Sequence, residues 1–186
     1  MKKNTREEMI KATAKLLQTN GYVGTGLNDI IRLSGAPKGS IYYHFPDGKE
    51  QLAIEAVNWT RETVANYIKE KLEVHQDPVL SIQEFILESA ERFEKDNYFF
   101  GVPITALVLE TSSTSENLRK ACNEVFEAWG NVFSDILKNK GYDNDKANEI
   151  GMIINSMIQG AFVISLARRD STALKKIANQ IPFIMR

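Results

Sequence analysis

Cysteine and histidine are scarce in this sequence, and their scarcity excludes several kinds of site. Cys122 is the only cysteine, so no disulfide can form within the chain, and a reducing compartment is expected. Neither His44 nor His75 has a glutamate three residues earlier, so the carboxylate–histidine pattern of di-iron helix bundles is absent. There is no His-Glu-x-x-His, no Gly-x-Ser-x-Gly and no phosphate-binding glycine loop. We therefore predict that the protein is not an enzyme and holds no metal or cofactor. An all-helical enzyme is the disfavoured alternative.

Long apolar runs are also lacking. No stretch approaches the roughly 18–20 apolar residues that a membrane-spanning helix needs. The first eight residues are mostly charged or polar and carry no apolar segment of the secretory type. Together with the single cysteine, these features lead us to expect a cytoplasmic protein with no membrane partner.

Net charge is small, at −1, but its distribution is uneven. Residues 1–45 carry seven lysines and arginines against three acidic residues, a net charge of +4. The other residues hold the remaining 16 basic and 21 acidic side chains, a net charge of −5. A basic N-terminal part on an acidic body is compatible with phosphate binding at one end of the molecule.

The periodicity of apolar residues is helical almost throughout, and no strand pair is evident. The patterns predict an all-α protein of nine helices, at about 5–20, 27–34, 37–44, 49–75, 78–96, 104–110, 115–140, 144–168 and 171–186. Thr5 with Glu8 resembles a capping box, and Ser115 and Asp143 or Asn144 are expected to begin later helices. In the second helix, the apolar residues are expected to point inward: Leu27, Ile30, Ile31 and Leu33. We predict a DNA-binding domain at 1–48 and an effector-binding and dimerisation domain at 49–186.

The second and third predicted helices form a helix-turn-helix pattern. The short segment Ser34–Pro37 separates them and contains Gly35, as the turn of such a motif does. The second helix of the motif enters the major groove with its N-terminal residues. Ile41 and Phe45 are expected to be core, whereas the polar side chains around them cannot all be buried in so short a helix. We therefore predict an exposed DNA-binding face made of Lys38, Gly39, Ser40, Tyr42, Tyr43 and His44.

The segment Ala36–Phe45, followed by Lys49–Leu52, resembles the recognition-helix signature of the tetracycline-repressor (TetR) family. Further matches to that family's N-terminal pattern are Gly21-Tyr22, Thr25, Asp29-Ile30 and Ser34-Gly35. The segment Phe100–Glu110 resembles the LmrA/YxaF-like branch, although that branch commonly has cysteine where Val102 stands. The resemblance implies that Thr25 and Tyr42 hold the DNA backbone and that Lys49 contacts a phosphate. It also implies that Lys38, Ser40, Tyr43 and His44 face the groove. Arg6 and Lys3 are either further DNA contacts or solvated charges.

The C-terminal part is expected to dimerise and to bind a small, largely apolar effector. The eighth helix has more apolar residues than one buried stripe requires, so we predict a homodimer through the last two helices. The apolar residues in question are Ile150, Ile153, Ile154, Met157, Ile158, Ala161, Phe162 and Ile164, with Gly151 and Gly160 allowing close helix approach. The alternative is a central helix fully buried in a monomer.

A surplus of aromatic residues in the body predicts the effector pocket. The predicted pocket residues are Trp59, Phe93, Phe99, Phe100, Phe126, Trp129, Phe133 and Phe162, with Tyr67 and Tyr98 as additional candidates. Asn155 and Gln159 interrupt an apolar helix and are the predicted polar contacts. The same aromatics are compatible with a solid core. The alternatives are therefore a DNA-binding protein without an effector, or an activator in place of a repressor.

Overall fold

The computed structural model describes residues 4–96 and 104–185, and its regular secondary structure is helical throughout these ranges. It contains nine helices in the described residues, in close agreement with the predicted order. They are α1 Thr5–Asn20, α2 Leu27–Ser34, α3 Ser40–His44, α4 Gly48–Leu72, α5 Pro78–Asp96, α6 Ile104–Thr111, α7 Glu116–Asn139, α8 Asn144–Arg168 and α9 Thr172–Ile184. The predicted all-α fold is confirmed.

The described residues form two compact units. The first contains residues 4–63 and 104–125, and the second contains residues 64–96 and 126–185. The predicted DNA-binding domain at 1–48 belongs to the first unit, which also includes the start of α4, all of α6 and the start of α7. The assignment of functions to 1–48 and 49–186 stays a prediction.

The core of the first unit fixes the short helices α2 and α3. α1 packs on α2, and the fully buried side chains include Met9, Ile30, Ile41, Phe45 and Leu52. The prediction that Leu33 points inward is wrong, because 45% of its surface is exposed. Ile30 and Ser34, four residues apart, form the buried face of this eight-residue helix. Leu33, one residue before Ser34, lies outside that face.

Two of the three predicted N-terminal helix caps are confirmed. The Ser115 hydroxyl accepts a hydrogen bond from Leu118 N–H (3.1 Å). The Asp143 carboxylate accepts from Asp145 N–H (3.0 Å) and Lys146 N–H (3.1 Å). The predicted cap at Thr5 is wrong: Asn4 occupies the N-cap position, and its side chain makes no capping hydrogen bond. Thr5 is already helical, so its hydroxyl is not placed to cap the free N–H groups.

In the second unit, α9 packs on α5 and α8. Of the residues predicted for the dimer surface, four are buried within the chain: Ile150, Ile154, Ile158 and Ala161. Gly151 also faces inward, because a Cβ atom there would meet Gly130 and Ser134 of α7. These five residues therefore pack α8 inside its own unit, and this corrects the prediction that they face a partner. Ile153 and Ile164 are exposed.

α8 also qualifies the prediction that no run is apolar enough to cross a membrane. Its most apolar 18-residue window has a mean hydropathy of 1.7, enough for a span by length and composition alone. Helices buried in soluble proteins pass the same test, but only 39% of this window is buried within the chain. α8 therefore carries apolar surface that its own chain leaves uncovered.

Candidate nucleic-acid interface

The turn between α2 and α3 is held by short-range hydrogen bonds. Gly35 adopts the left-handed conformation (φ 68°, ψ 20°) that ends α2, and its N–H bonds to the Ile31 carbonyl at 3.0 Å. The Pro37 carbonyl accepts from both the N–H (3.0 Å) and the hydroxyl (2.6 Å) of Ser40. These contacts define where α3 begins, as a helix-turn-helix motif requires.

α3 has a buried face and an exposed face. Ile41 and Phe45 are fully buried, as predicted, and anchor the helix in the core. The opposite side presents two adjacent tyrosines, Tyr42 and Tyr43, whose exposed fractions are 64% and 83%. The Tyr43 ring meets the His44 ring edge-on at 4.9 Å between centroids. Large aromatic side chains left in solvent on a short, well-anchored helix indicate a surface that binds a partner.

The other residues predicted for this face differ in exposure. Lys38 and Gly39 are exposed, whereas Ser40 and His44 are half-buried. The predicted face is therefore present, with Lys38, Tyr42 and Tyr43 its most accessible side chains. Which of them contact bases stays a prediction.

Thr25 is buried and already engaged. Its side chain is 1% exposed, and its hydroxyl donates to the Gly21 carbonyl at 2.7 Å. Its N–H donates to the Tyr22 carbonyl at 3.3 Å. In this conformation Thr25 stabilises the connection between α1 and α2, and the predicted phosphate contact stays untested.

Lys49, in the first turn of α4, is placed by an aromatic ring. Its ammonium lies 4.4 Å from the centroid of the Tyr22 ring, a cation–π arrangement. Partial burial lowers the pKa of Lys49, and the nearby Glu110 carboxylate opposes that shift. In this conformation the Lys49 ammonium is therefore held against the Tyr22 ring, and the predicted phosphate contact stays a prediction.

Arg6 makes contacts within the first unit. Its guanidinium pairs with the Glu55 carboxylate and lies 5.2 Å from the centroid of the Phe45 ring. Arg6 therefore connects α1 to α4. It is not purely solvated, as one of the two alternatives from the sequence assumed. Lys3 lies outside the described residues.

Sequence reasoning missed Glu110 as a residue of this region. Its carboxylate accepts hydrogen bonds from the N–H groups of Tyr22 (2.7 Å) and Val23 (3.2 Å), 88 and 87 residues earlier in the chain. Backbone donors carry no side-chain signature, so no local pattern in the sequence could have revealed this contact.

The residues predicted for an effector pocket vary in burial. Phe93, Trp129 and Phe133 of the second unit are buried, whereas Phe126 and Phe162 are half-buried. Trp59, half-buried, belongs to the first unit. Phe99, Phe100 and Tyr98 lie outside the described residues.

The two polar residues predicted to face an effector have partners within the chain. Asn155 is buried, and its amide donates to the Phe126 carbonyl at 3.0 Å. The Gln159 amide approaches the Asn155 side-chain oxygen at 3.5 Å. Both polar side chains therefore have, within the chain itself, the hydrogen-bond partners that a buried polar group needs.

One groove of about 400 Å³ lies between the end of α4 and the end of α7. Its lining is largely charged or polar, and none of the predicted pocket residues contributes to it: Lys69, Glu73, Val132, Asp135, Ile136, Lys138 and Asn139. Among the described residues, no cluster of three or more histidine, cysteine or acidic side chains is arranged to hold a metal ion.

Comparison with known proteins identifies the family of both parts of the chain. Residues 9–56 match the profile of bacterial regulatory proteins of the tetR family. Residues 78–180 match the C-terminal domain of LmrA/YxaF-like transcriptional regulators.

Full-length relatives agree with these profiles. The HTH-type transcriptional regulators YxaF and LmrA of Bacillus subtilis are each 43% identical over 183 residues. The alignments cover 98% of this chain and 96% and 97% of the two relatives. The fold is similar to that of reduced Escherichia coli NemR, with a TM-score of 0.84 at 19% identity over 96% of this chain and 95% of that one. The chain therefore belongs to the TetR family of helix-turn-helix transcriptional regulators and to its LmrA/YxaF-like branch.

Proposed function

We propose that this regulator is a repressor that reads a specific operator with α3 and is released by a small, largely apolar effector. One observation carries the DNA-reading part: two adjacent exposed tyrosines on a helix anchored by two fully buried side chains, with the exposed Lys38 two residues before that helix begins. Lysine contacts guanine edges or phosphates, and tyrosine hydroxyls bind phosphates or bases. The positive charge of residues 1–45 supplies the electrostatic attraction.

A dimer through α8 and α9 would present two such helices to a two-fold operator. The exposed apolar side chains of these helices support this interface: Met152, Ile153, Val163, Ile164 and Leu166 of α8 and Phe183 of α9. Gly160 adds open space on α8, since a Cβ atom there would meet nothing within 4 Å. Replacing Ile164 with aspartate should convert the dimer to monomers in analytical ultracentrifugation. A variant that stays dimeric would place the interface elsewhere.

The effector part of the proposal rests on the aromatic side chains of the second unit. α4 and α7 each run from the first unit into the second, so both helices link the DNA-reading part of the chain to these aromatics. An effector that prefers the DNA-incompetent state would lower operator affinity by the coupling free energy, typically about 1–3 kcal/mol.

A specific observation favours a DNA-binding protein without an effector as the second candidate. Phe93, Trp129 and Phe133 are almost fully buried, and the Phe85 and Phe133 rings lie 6.1 Å apart, as in a solid core. Thermal unfolding in the presence of a panel of planar aromatic compounds separates the two candidates. A compound that raises the unfolding temperature and lowers operator affinity supports the repressor, whereas stabilisation by none of them favours the second candidate.

The decisive experiment is binding of the protein to DNA from upstream of its own gene, measured by gel shift across a salt series. We expect Lys38→Ala to weaken specific binding by about 1–3 kcal/mol and to relax sequence preference if Lys38 reads a base. Lys95→Ala removes the same charge from an exposed site on α5 and should leave binding unchanged. Equal binding to operator and random DNA by the wild-type protein would contradict the proposal.

A further inference from the structure

Glu110, the penultimate residue of α6, connects this helix to the turn between α1 and α2. Its Oε2 atom accepts both the Tyr22 N–H (2.7 Å) and the Val23 N–H (3.2 Å). Hydrogen bonds from backbone N–H groups to a charged carboxylate are stronger than those between neutral groups. One side chain thus satisfies two consecutive N–H groups just after the end of α1.

The backbone of the turn is shaped to admit this carboxylate. Gly21 has φ 70° and ψ −177°, a conformation that is essentially restricted to glycine. A Cβ atom at Gly21 would collide with Glu110 Oε1. Gly21, with its positive φ, therefore both ends α1 and leaves room for the Glu110 side chain.

Glu110 is presented by a firmly anchored helix. Ile104, Leu107 and Thr111, three and four residues apart, form the buried face of α6. The Thr111 hydroxyl donates to the Leu107 carbonyl at 2.8 Å. A displacement of α6 therefore moves the Glu110 carboxylate with it.

The turn between α1 and α2 also contacts Lys49, through the Tyr22 ring. The Lys49 ammonium lies 4.4 Å from the Tyr22 ring centroid, and Tyr22 is the residue whose N–H Glu110 holds most closely. The next residue of α4, Glu50, accepts hydrogen bonds from Ser115 (2.9 Å) and Asn117 (3.3 Å) at the start of α7. The start of α7, which follows α6 in the chain, thus makes hydrogen bonds of its own to the first turn of α4.

We infer that Glu110 is a positioning residue for DNA binding, which holds the α1–α2 turn and, through Tyr22, sets where the Lys49 ammonium meets a DNA phosphate. The inference rests on the proposed operator binding and adds the residue through which α6 acts on it. Because a carboxylate is repelled by phosphate groups, Glu110 is expected to act through the turn and not through a contact of its own with DNA. Because its partners are backbone N–H groups, the two hydrogen bonds themselves do not depend on the Tyr22 and Val23 side chains.

The test is operator affinity, by fluorescence anisotropy, of Glu110→Ala, Glu110→Gln and Glu62→Ala. The alanine variant loses both hydrogen bonds, and we expect an affinity about tenfold weaker, since bonds to charged groups contribute most. The glutamine variant keeps an acceptor oxygen and should recover part of the loss. Glu62, an exposed glutamate of α4 in the same unit, is the matched control and should bind as the wild type does.

A double-mutant cycle with Lys49→Ala distinguishes positioning from general destabilisation. If Glu110 acts through Lys49, Glu110→Ala costs much less affinity when Lys49 is already absent. Fully additive losses, or a Glu110→Ala affinity within twofold of the wild type, would overturn the inference. Both results leave the proposed operator binding standing, because that part of the proposal fails only if the wild-type protein shows no preference for operator over random DNA. Circular dichroism of each variant verifies that it is folded at the assay temperature.

Discussion

Gly151 lies where α8 packs directly on α7, and its replacement by alanine tests this packing. A Cβ atom at this position would lie 2.7 Å from the Gly130 carbonyl oxygen and 2.9 Å from the Ser134 backbone nitrogen. It would come closer still to the Ser134 hydroxyl. Ser134 is buried and hydrogen-bonded to the Gly130 carbonyl at 3.2 Å, so α7 cannot yield by rotating one exposed side chain. The added methyl group must push the two helix backbones apart.

Two opposing effects determine the size of the loss. Overpacking a tight core contact costs about 1–3 kcal/mol. Alanine is favoured over glycine inside a helix by about 1 kcal/mol, which offsets part of that cost. Because two of the three close atoms belong to the α7 backbone, the upper part of that range applies, and we expect a net loss of about 1–2 kcal/mol in the free energy of unfolding. For a chain of this length, this corresponds to an unfolding temperature lower by roughly 2–8 °C.

Gly160→Ala is the matched control, in the same helix. No atom lies within 4 Å of a Cβ at that position, so only the gain in helix propensity remains within the subunit. Both variants are compared with the wild type by thermal unfolding, followed by circular dichroism at matched protein concentrations, because the proposed dimerisation would make stability depend on concentration. A Gly151→Ala protein as stable as the wild type would refute the close α7–α8 contact. A loss in Gly160→Ala that grows on dilution would indicate that a second subunit packs there.

Two further predictions concern charge and protonation. Replacing Lys49 with alanine should weaken binding to every DNA sequence and reduce the salt slope by about one, as expected for one lost phosphate contact, and an unchanged slope would contradict the phosphate role. Burial raises the pKa of the Cys122 thiol from 9.0 to about 11, so the folded protein should resist a thiol reagent at pH 8 that labels the unfolded chain rapidly. Because the folded pKa is the higher one, the buried thiol contributes stability below pH 9, and this contribution declines as the pH rises toward 11. Rapid labelling of the native protein would show that Cys122 is accessible.

Much of the fold could be predicted because its signals are local. The caps at Ser115 and Asp143 and the left-handed glycine after α2 depend on residues within one helical turn of each other. The anchoring of α3 by Ile41 and Phe45 follows from apolar spacing in a five-residue helix. Patterns of this kind are visible in any single sequence, and the family signature of the helix-turn-helix is built from them.

The wrong predictions concern which apolar residues are covered, and by which neighbour. Apolar residues on α8 predicted a partner surface, but Ile150, Ile154 and Ile158 face the interior of their own unit. Leu33 was expected inside, yet it faces solvent. Hydrophobicity identifies residues that avoid water but does not specify which neighbour covers them, so only packing decides.

By itself, the sequence determined the helical class, the order of the helices and the motif that presents Lys38, Tyr42 and Tyr43. Only the tertiary structure decided that Glu110 binds the turn after α1, that the Tyr22 ring contacts the Lys49 ammonium and that Gly151 packs against α7. The physical reason is the range of the interactions. Capping and periodicity act within a few residues, whereas a carboxylate that binds backbone N–H groups 88 and 87 positions away is specified by how the helices pack.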